Sequence, residues 1–123
     1  QVLFLGGLKG QSLANELARH RVIVVPSRYE EPFGIVALEG LACGCIPIVS
    51  EQGGLVDAIA GHGFKFPNGN ASALAEQLEE VLGDLDSAKA RLDGVESHLS
   101  NCSARSVAEK YIQVFQSHLE RRA

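Results

Sequence analysis

A doubly wound α/β fold built on a parallel sheet is predicted by three features of the sequence. Three short runs, Gln1–Leu5, Arg21–Val25 and Ile46–Ser50, are almost wholly apolar. Segments with helical spacing of apolar residues separate them, and each run closes on glycine or proline. A strand apolar on both sides needs cover on both faces, and the crossover helices of parallel βα units supply it.

Gln1–Leu5 (QVLFL) reads as a first buried strand, stopped by Gly6-Gly7. Ser12 is placed to cap a helix through about Arg19, with Leu13, Leu17 and His20 on related faces. The β-branched run Arg21–Val25 is a second strand, ended by Pro26-Ser27. A helix follows from about Phe33 to Cys43, and Gly44 suits the position just past its end. Ile46–Ser50 is a third strand, closed by Gly53-Gly54. Leu55–Ala60 reads as a short helix, and Gly63–Phe66 as a short strand before the turn Pro67-Asn68-Gly69-Asn70. Leu74, Leu78, Val81 and Leu82 mark a helix over Ser72–Leu82, whose intervening acids read as a solvated face. Two more helices are expected near Ser87–His98 and Arg105–Leu119, the last with an apolar face for this sheet or another domain.

In such a sheet, of the Rossmann-like kind, ligands collect at the carboxyl ends of the strands. Those ends are Gly6–Leu8, Pro26–Gly34 and Ser50–Gly54, where glycines and carboxylates cluster. Three or four strands make a thin sheet, so residues 1–123 are expected to be one incomplete domain lacking its first strands.

Composition narrows the partners. The 123 residues are 46% hydrophobic and carry a formal charge of −4, which suits a globular chain and leaves no basic stripe for nucleic acid. No apolar stretch is long enough to predict a transmembrane segment. The three cysteines, Cys43, Cys45 and Cys102, show neither disulfide nor zinc spacing and read as reduced thiols of a cytoplasmic protein. Cys43 and Cys45 suit packing better than redox or metal chemistry. His20, His62, His98 and His118 have no ligand spacing, with His62 a weak candidate for lining a cleft. No metal site and no cofactor is expected.

The chemistry concentrates in Ser27–Gly44, SRYEEPFGIVALEGLACG. Pro32 presets a helix start, where the N–H groups of Phe33, Gly34 and Ile35 have no intrahelical partner and face an anion favourably. Gly34 lets a ligand approach the backbone. Glu31 stands beside that site and suits hydroxyls next to the anion better than the anion itself. Glu30 reads as a solvated neighbour. Glu39 lies eight residues on, inside an apolar stretch. If Glu31 extends the helix, the two carboxylates are about 12 Å apart and within about 80° around the axis. That span suits a nucleotide sugar, with a diphosphate between two sets of hydroxyls. The plainer readings are Glu39 facing solvent or paired with an arginine, and Gly53-Gly54 as a simple turn.

The ordered elements Pro26-Ser27, Glu31-Pro32-Phe33-Gly34, Glu39, Ala42–Pro47 and Gly53-Gly54 resemble the donor-binding core of retaining glycosyltransferases of the GT-B architecture, family 4. The specific match covers about thirty residues, and a looser one runs from Phe4-Leu5-Gly6 to the last helix. The resemblance implies the carboxyl-terminal half of a GT-B enzyme, with the amino-terminal acceptor domain outside this sequence. It implies transfer of a sugar from a nucleotide diphosphate donor to an acceptor hydroxyl, with retention. Glu31 would contact the transferred sugar as the catalytic candidate, without being a covalent nucleophile, and Glu39 the ribose. The amides of Phe33, Gly34 and Ile35 would meet sugar and phosphates, the backbone of Gly6–Leu8 the base, and Gly53 and Gly54 complete the donor site. The acceptor, whether sugar, lipid-linked glycan or small molecule, is not specified.

Three departures stand out. Glu30 doubles the acid, Gly40 replaces the usual Ala, and Asp57 stands where Glu is common. The family's phosphate-neutralising Arg and Lys lie on earlier strands, and neither Lys9 nor Arg28 is assigned that role. The isolated chain is therefore expected to bind donor weakly and to be inactive. The full protein is expected in the cytoplasm or peripheral to the membrane. Two readings compete with the transferase: another nucleotide-sugar enzyme of GT-B architecture, such as an epimerase or phosphorylase, and a non-catalytic nucleotide-binding scaffold.

Overall fold

The computed structural model describes residues 1–122 and divides into two compact units, Gln1–Asp93 and a second beginning at Gly94. In the first unit, α1 (Gly10–Leu17), β1 (Val22–Val25), α2 (Ile35–Ala42), β2 (Ile46–Ser50), α3 (Leu55–Ile59), β3 (Phe64–Phe66), α4 (Ala71–Gly83) and α5 (Leu85–Lys89) follow in order, and a 3₁₀ turn closes it at Ala90–Leu92. The three strands form a parallel sheet in the order β1-β2-β3, with Val22 opposite Ile46 and Ile48 opposite Phe64.

Helices cover both faces, as the doubly wound prediction requires. Ile46, Ile48 and Phe66 point to one side and pack with Val81 of α4 and Ala88 of α5; Val22, Val24, Leu74, Leu78 and Leu85 surround them. Alternation along the strands sends Ile23, Val25, Pro47 and Val49 to the other side. There α2 lies so close that a Cβ on Gly40 would stand 2.6 Å from Cγ2 of Ile23. Every residue of β2 is buried, which explains its lack of polar alternation. Complete burial of Ile46 and of Ile48 stabilises the fold by about 1.5–3 kcal/mol each.

Helix limits follow local chemistry. The Asn70 side chain accepts from the Ala73 N–H at 3.0 Å and starts α4, and the Asp84 side chain accepts from the Ser87 N–H at 3.0 Å and starts α5. After α2, Gly44 has φ +83°, the left-handed conformation expected of a residue just past a helix end.

Three expectations are corrected. Gln1–Leu5 is not a strand: it joins no ladder, and its side chains are exposed, Phe4 by 93%. An apolar run becomes a strand only where a second edge takes its N–H and C=O groups. Ser12 does not cap α1, which begins at Gly10 after Lys9; its hydroxyl donates to the Lys9 carbonyl at 2.7 Å. The helix expected over Ser87–His98 is broken: Gly94 has φ +75°, which no right-handed helix accommodates.

The second unit holds α6 (Val95–Asn101) and α7 (Ala104–Glu120). The Ser103 side chain caps α7 by accepting from the Ser106 N–H at 3.2 Å. Among the described residues no helix is long and apolar enough to cross a membrane.

Candidate functional site

The loops leaving β1 and β2 are tied together at the carboxyl edge of the sheet. The β1–β2 ladder ends where Val25 stands opposite Val49. The hydroxyl of Ser50, fully buried at the end of β2, instead donates to the Ser27 carbonyl at 2.8 Å. Ser27 in turn donates its own hydroxyl to Oε1 of Glu31 at 2.8 Å. The Glu31 carbonyl accepts from the Gly54 N–H at 2.6 Å. From the β3–α4 turn, Nδ2 of Asn68 donates to the Arg28 carbonyl at 3.1 Å.

Gly53 and Gly54 are more than a turn. A Cβ on Gly53 would lie 2.6 Å from the Glu31 carbonyl oxygen, and one on Gly54 only 2.3 Å from that of Pro32. The Glu31-Pro32-Phe33 backbone rests on the space these two side chains do not fill. Gly34 is constrained twice: its φ is +85°, and a Cβ would stand 2.4 Å from Cδ2 of Leu55.

Gly34 precedes the first residue of α2, Ile35, so Phe33 and Gly34 lie just outside the helix. The Ala37 N–H donates to the Gly34 carbonyl at 3.0 Å, leaving the N–H groups at the very start of α2 without intrahelical acceptors. The left-handed Gly34 also corrects the straight-line extrapolation from Glu31 to Glu39. Glu31 does not extend the helix, so its direction is set by Ser27 and Gly54 and not by helical phase.

Glu39, near the middle of α2, is half-buried and faces α1. With Gly10, Leu13, Ala14, Leu17, Ala42 and Cys43 it lines a cavity of about 170 Å³. Among the described residues its carboxylate makes no salt bridge and no side-chain hydrogen bond. Gly6 (φ +70°) and Leu8 fall in the segment leading into α1, whose first residue shares this cavity. Glu31 is held in the β1–α2 loop by Ser27 and Gly54, and Glu39 lines the α1–α2 groove.

Tyr29 adds a polar contact that the sequence reading lacks. Its phenol is raised above the ordinary value of 10.0, first by a hydrogen bond to the Glu31 carboxylate, then by that group's negative charge, and last by desolvation. Ser27 is likewise a partner of Glu31 that the sequence reading does not assign; the four-residue spacing is the only signal for it. Arg28 lines a different hollow, of about 110 Å³, with Pro26, Phe66, Gly69 and Asn70. His62 precedes β3 and so lies away from the carboxyl edge, its Nδ1 2.9 Å from the Arg91 carbonyl oxygen. Among the described residues no group of three or more His, Cys, Asp or Glu is gathered as metal ligands would be.

Comparison with known proteins places this arrangement. An uncharacterized glycosyltransferase of Methanocaldococcus jannaschii is 35% identical over 113 residues, which is 90% of this chain and 27% of that protein. A D-inositol 3-phosphate glycosyltransferase of Stackebrandtia nassauensis is 31% identical over 124 residues, covering 99% of this chain and 28% of its own length. Among solved structures, Anabaena HepE in complex with UDP superposes with a TM-score of 0.76 at 18% identity, covering 88% of this chain and 30% of that one. Sucrose-phosphate synthase of Thermosynechococcus elongatus gives 0.68 at 30% identity, covering 94% and 30%. The chain thus spans between 27% and 30% of the length of these proteins. Residues 1–93, which carry the Glu31 loop, the Glu39 helix and the Gly53-Gly54 turn, match the family described as Glycosyl transferases group 1, and to that family this chain belongs.

Proposed function

We propose that this chain is the donor-binding part of a retaining glycosyltransferase of family 4, the carboxyl-terminal half of a GT-B enzyme, and that it binds a nucleoside diphosphate sugar. The observation that carries this reading is Glu39: a carboxylate without a partner among the described residues, in an apolar groove. A carboxylate there suits the paired hydroxyls of a ribose, which donate to its two oxygens while the sugar face packs on Leu13, Ala14 and Ala42. The backbone of Gly6–Leu8, just ahead of α1, is the wall for the base. Family membership and a structural neighbour solved with UDP support the same class of ligand.

In this reading the diphosphate lies over the start of α2, where the amides of Phe33, Gly34 and Ile35 and the helix dipole stabilise negative charge. Gly53 and Gly54 hold the loop that presents those amides. Charge on the diphosphate grows as the bond to the anomeric carbon breaks, so preorganised donors at this position lower the barrier more than they strengthen ground-state binding. Glu31 is the catalytic residue in the sense of touching the transferred sugar: it accepts from sugar hydroxyls and orients the anomeric carbon. The acceptor, which supplies the attacking hydroxyl, is bound by an amino-terminal domain outside residues 1–123. The chain uses no cofactor of its own, and the isolated chain transfers nothing.

The test is titration of the full-length protein with UDP, GDP and ADP and their glucose conjugates, with Glu39→Ala alongside. Tight binding of one nucleotide by the wild type, weakened in the variant, is the expected result. Equal binding by both would replace the transferase reading with the scaffold reading.

A further inference from the structure

We propose that Ser50 and Ser27 form a positioning relay that fixes the Glu31 carboxylate; the inference rests on the reading of Glu31 given above. The relay begins where the backbone ladder fails. Past the pair Val25–Val49, the buried Ser50 hydroxyl ties the two chains together by donating to the Ser27 carbonyl at 2.8 Å. This pins the Ser27 backbone, and with it the origin of the side chain whose Oγ reaches Oε1 of Glu31 at 2.8 Å. The main chain of Glu31 is fixed separately by Gly54 at 2.6 Å. The residue is therefore held at both ends from β2 and the turn that follows it.

A free glutamate has three rotatable side-chain bonds and samples many orientations. Engaging Oε1 with a fixed donor removes most of that freedom, yet a carboxylate has about four acceptor positions, and a single hydroxyl leaves the others for ligand hydroxyls. Tyr29 lies near enough to the same carboxylate to have its phenol raised by it, but it is exposed, 65% accessible, and does not anchor the group to the core. Ser27 and Ser50 are the anchored pair. They act on the transferred sugar through Glu31 and not by contact.

The experiment uses the full-length protein with UDP-glucose, GDP-glucose and ADP-glucose as probes, scoring donor turnover and nucleotide affinity, together with crystal structures of the variants. Ser27→Ala is expected to lower kcat by about 10-fold with nucleotide Kd changed less than about twofold. Ser27→Thr, which keeps a hydroxyl, restores most of the loss. Ser50→Ala, one step removed, costs about threefold. In the Ser27→Ala crystal structure the Glu31 carboxylate takes more than one orientation. A single unchanged orientation in that structure overturns the relay, whatever donor is used. So does undiminished turnover by Ser27→Ala while Glu31→Gln is inactive. Full turnover by Glu31→Gln instead removes the assignment of Glu31 and the relay with it, which separates the two failures.

Discussion

The N–H of Gly54 donates to the carbonyl of Glu31 at 2.6 Å, so the turn after β2 and the loop after β1 are built as one piece. A Cβ on Gly54 would meet the Pro32 oxygen at 2.3 Å and Cα of Phe33 at 2.4 Å. Both are backbone atoms and cannot swing aside. Gly54→Ala is therefore expected to displace the loop, lowering stability by about 1–3 kcal/mol and nucleotide affinity by at least about 10-fold. Gly44→Ala is the comparison: its φ is +83°, but nothing stands within 4 Å of the new Cβ. It should cost about 1 kcal/mol of stability and leave affinity alone. Thermal unfolding and nucleotide titration of both variants check the contrast.

On the proposed reading, Glu39 separates binding from folding. With no partner for its carboxylate among the described residues, replacement by alanine removes no hydrogen bond seen there, so stability should stay within about 0.5 kcal/mol of wild type. On the proposed reading, losing an ionic acceptor for ribose hydroxyls weakens nucleotide binding by about 10–100-fold. An unfolding curve and a UDP titration on the same sample test both statements. A marked drop in melting temperature would mean that Glu39 serves the fold.

Gly40 is explained by its neighbour on the sheet face beneath it. A Cβ there would press on Cγ2 of Ile23 at 2.6 Å and on Cδ1 at 3.0 Å. Alanine would gain about 1 kcal/mol of helix propensity, against about 1–3 kcal/mol for overpacking a β-branched side chain. Gly40→Ala should be destabilising on balance. Chemical denaturation of the full-length protein gives the sign directly.

Which features the sequence discloses depends on the range of the interaction involved. Ile46–Ser50 is legible because burial on both faces requires an unbroken apolar run. Gln1–Leu5 carries the same signal and is no strand here, since pairing belongs to the partner edge and not to the run itself. The spacing of apolar residues passes over Asp93-Gly94, but one left-handed glycine outweighs it. In the candidate site, the residues of the Glu31 loop and Glu39 are named by motif, while their partners are not. Ser50 reaches Ser27 across 23 positions, and the wall of the Glu39 groove comes from α1, more than twenty residues earlier. Tertiary neighbours of this kind leave no periodic trace.

Tyr29 offers an optical probe of Glu31. The chain has two tyrosines, Tyr29 and Tyr111. The hydrogen bond to the Glu31 carboxylate and that group's charge both favour the neutral phenol, raising it above 10.0. The contribution of this bond to the folded state is therefore intact below about pH 10 and fades as the pH rises through the folded value. Glu31→Gln removes the charge, so one of the tyrosine transitions in an ultraviolet titration of this chain should move down toward the ordinary range. Tyr29→Phe should remove that transition altogether and identify it. An unchanged titration in Glu31→Gln would mean that the phenol does not engage the carboxylate.

The three thiols are expected to separate by reactivity. Cys45 is fully buried, its Sγ donating to the Leu17 carbonyl at 3.2 Å, whereas Cys43 and Cys102 are partly exposed. Desolvation, with a smaller contribution from Cys43, raises the Cys45 thiol above its ordinary 9.0. A raised value means that the unfolded chain releases this proton first, so the associated stability is intact below about pH 9 and lost as pH rises through the folded value. Iodoacetamide at pH 8 should label Cys43 and Cys102 well before Cys45, which reacts only through unfolding. Peptide mapping over time gives the order. Because Cys43 lines the Glu39 groove, the proposed reading has nucleotide present during labelling slow its alkylation and leave Cys102 unaffected. Equal protection of both would place the nucleotide elsewhere or imply a general tightening of the chain.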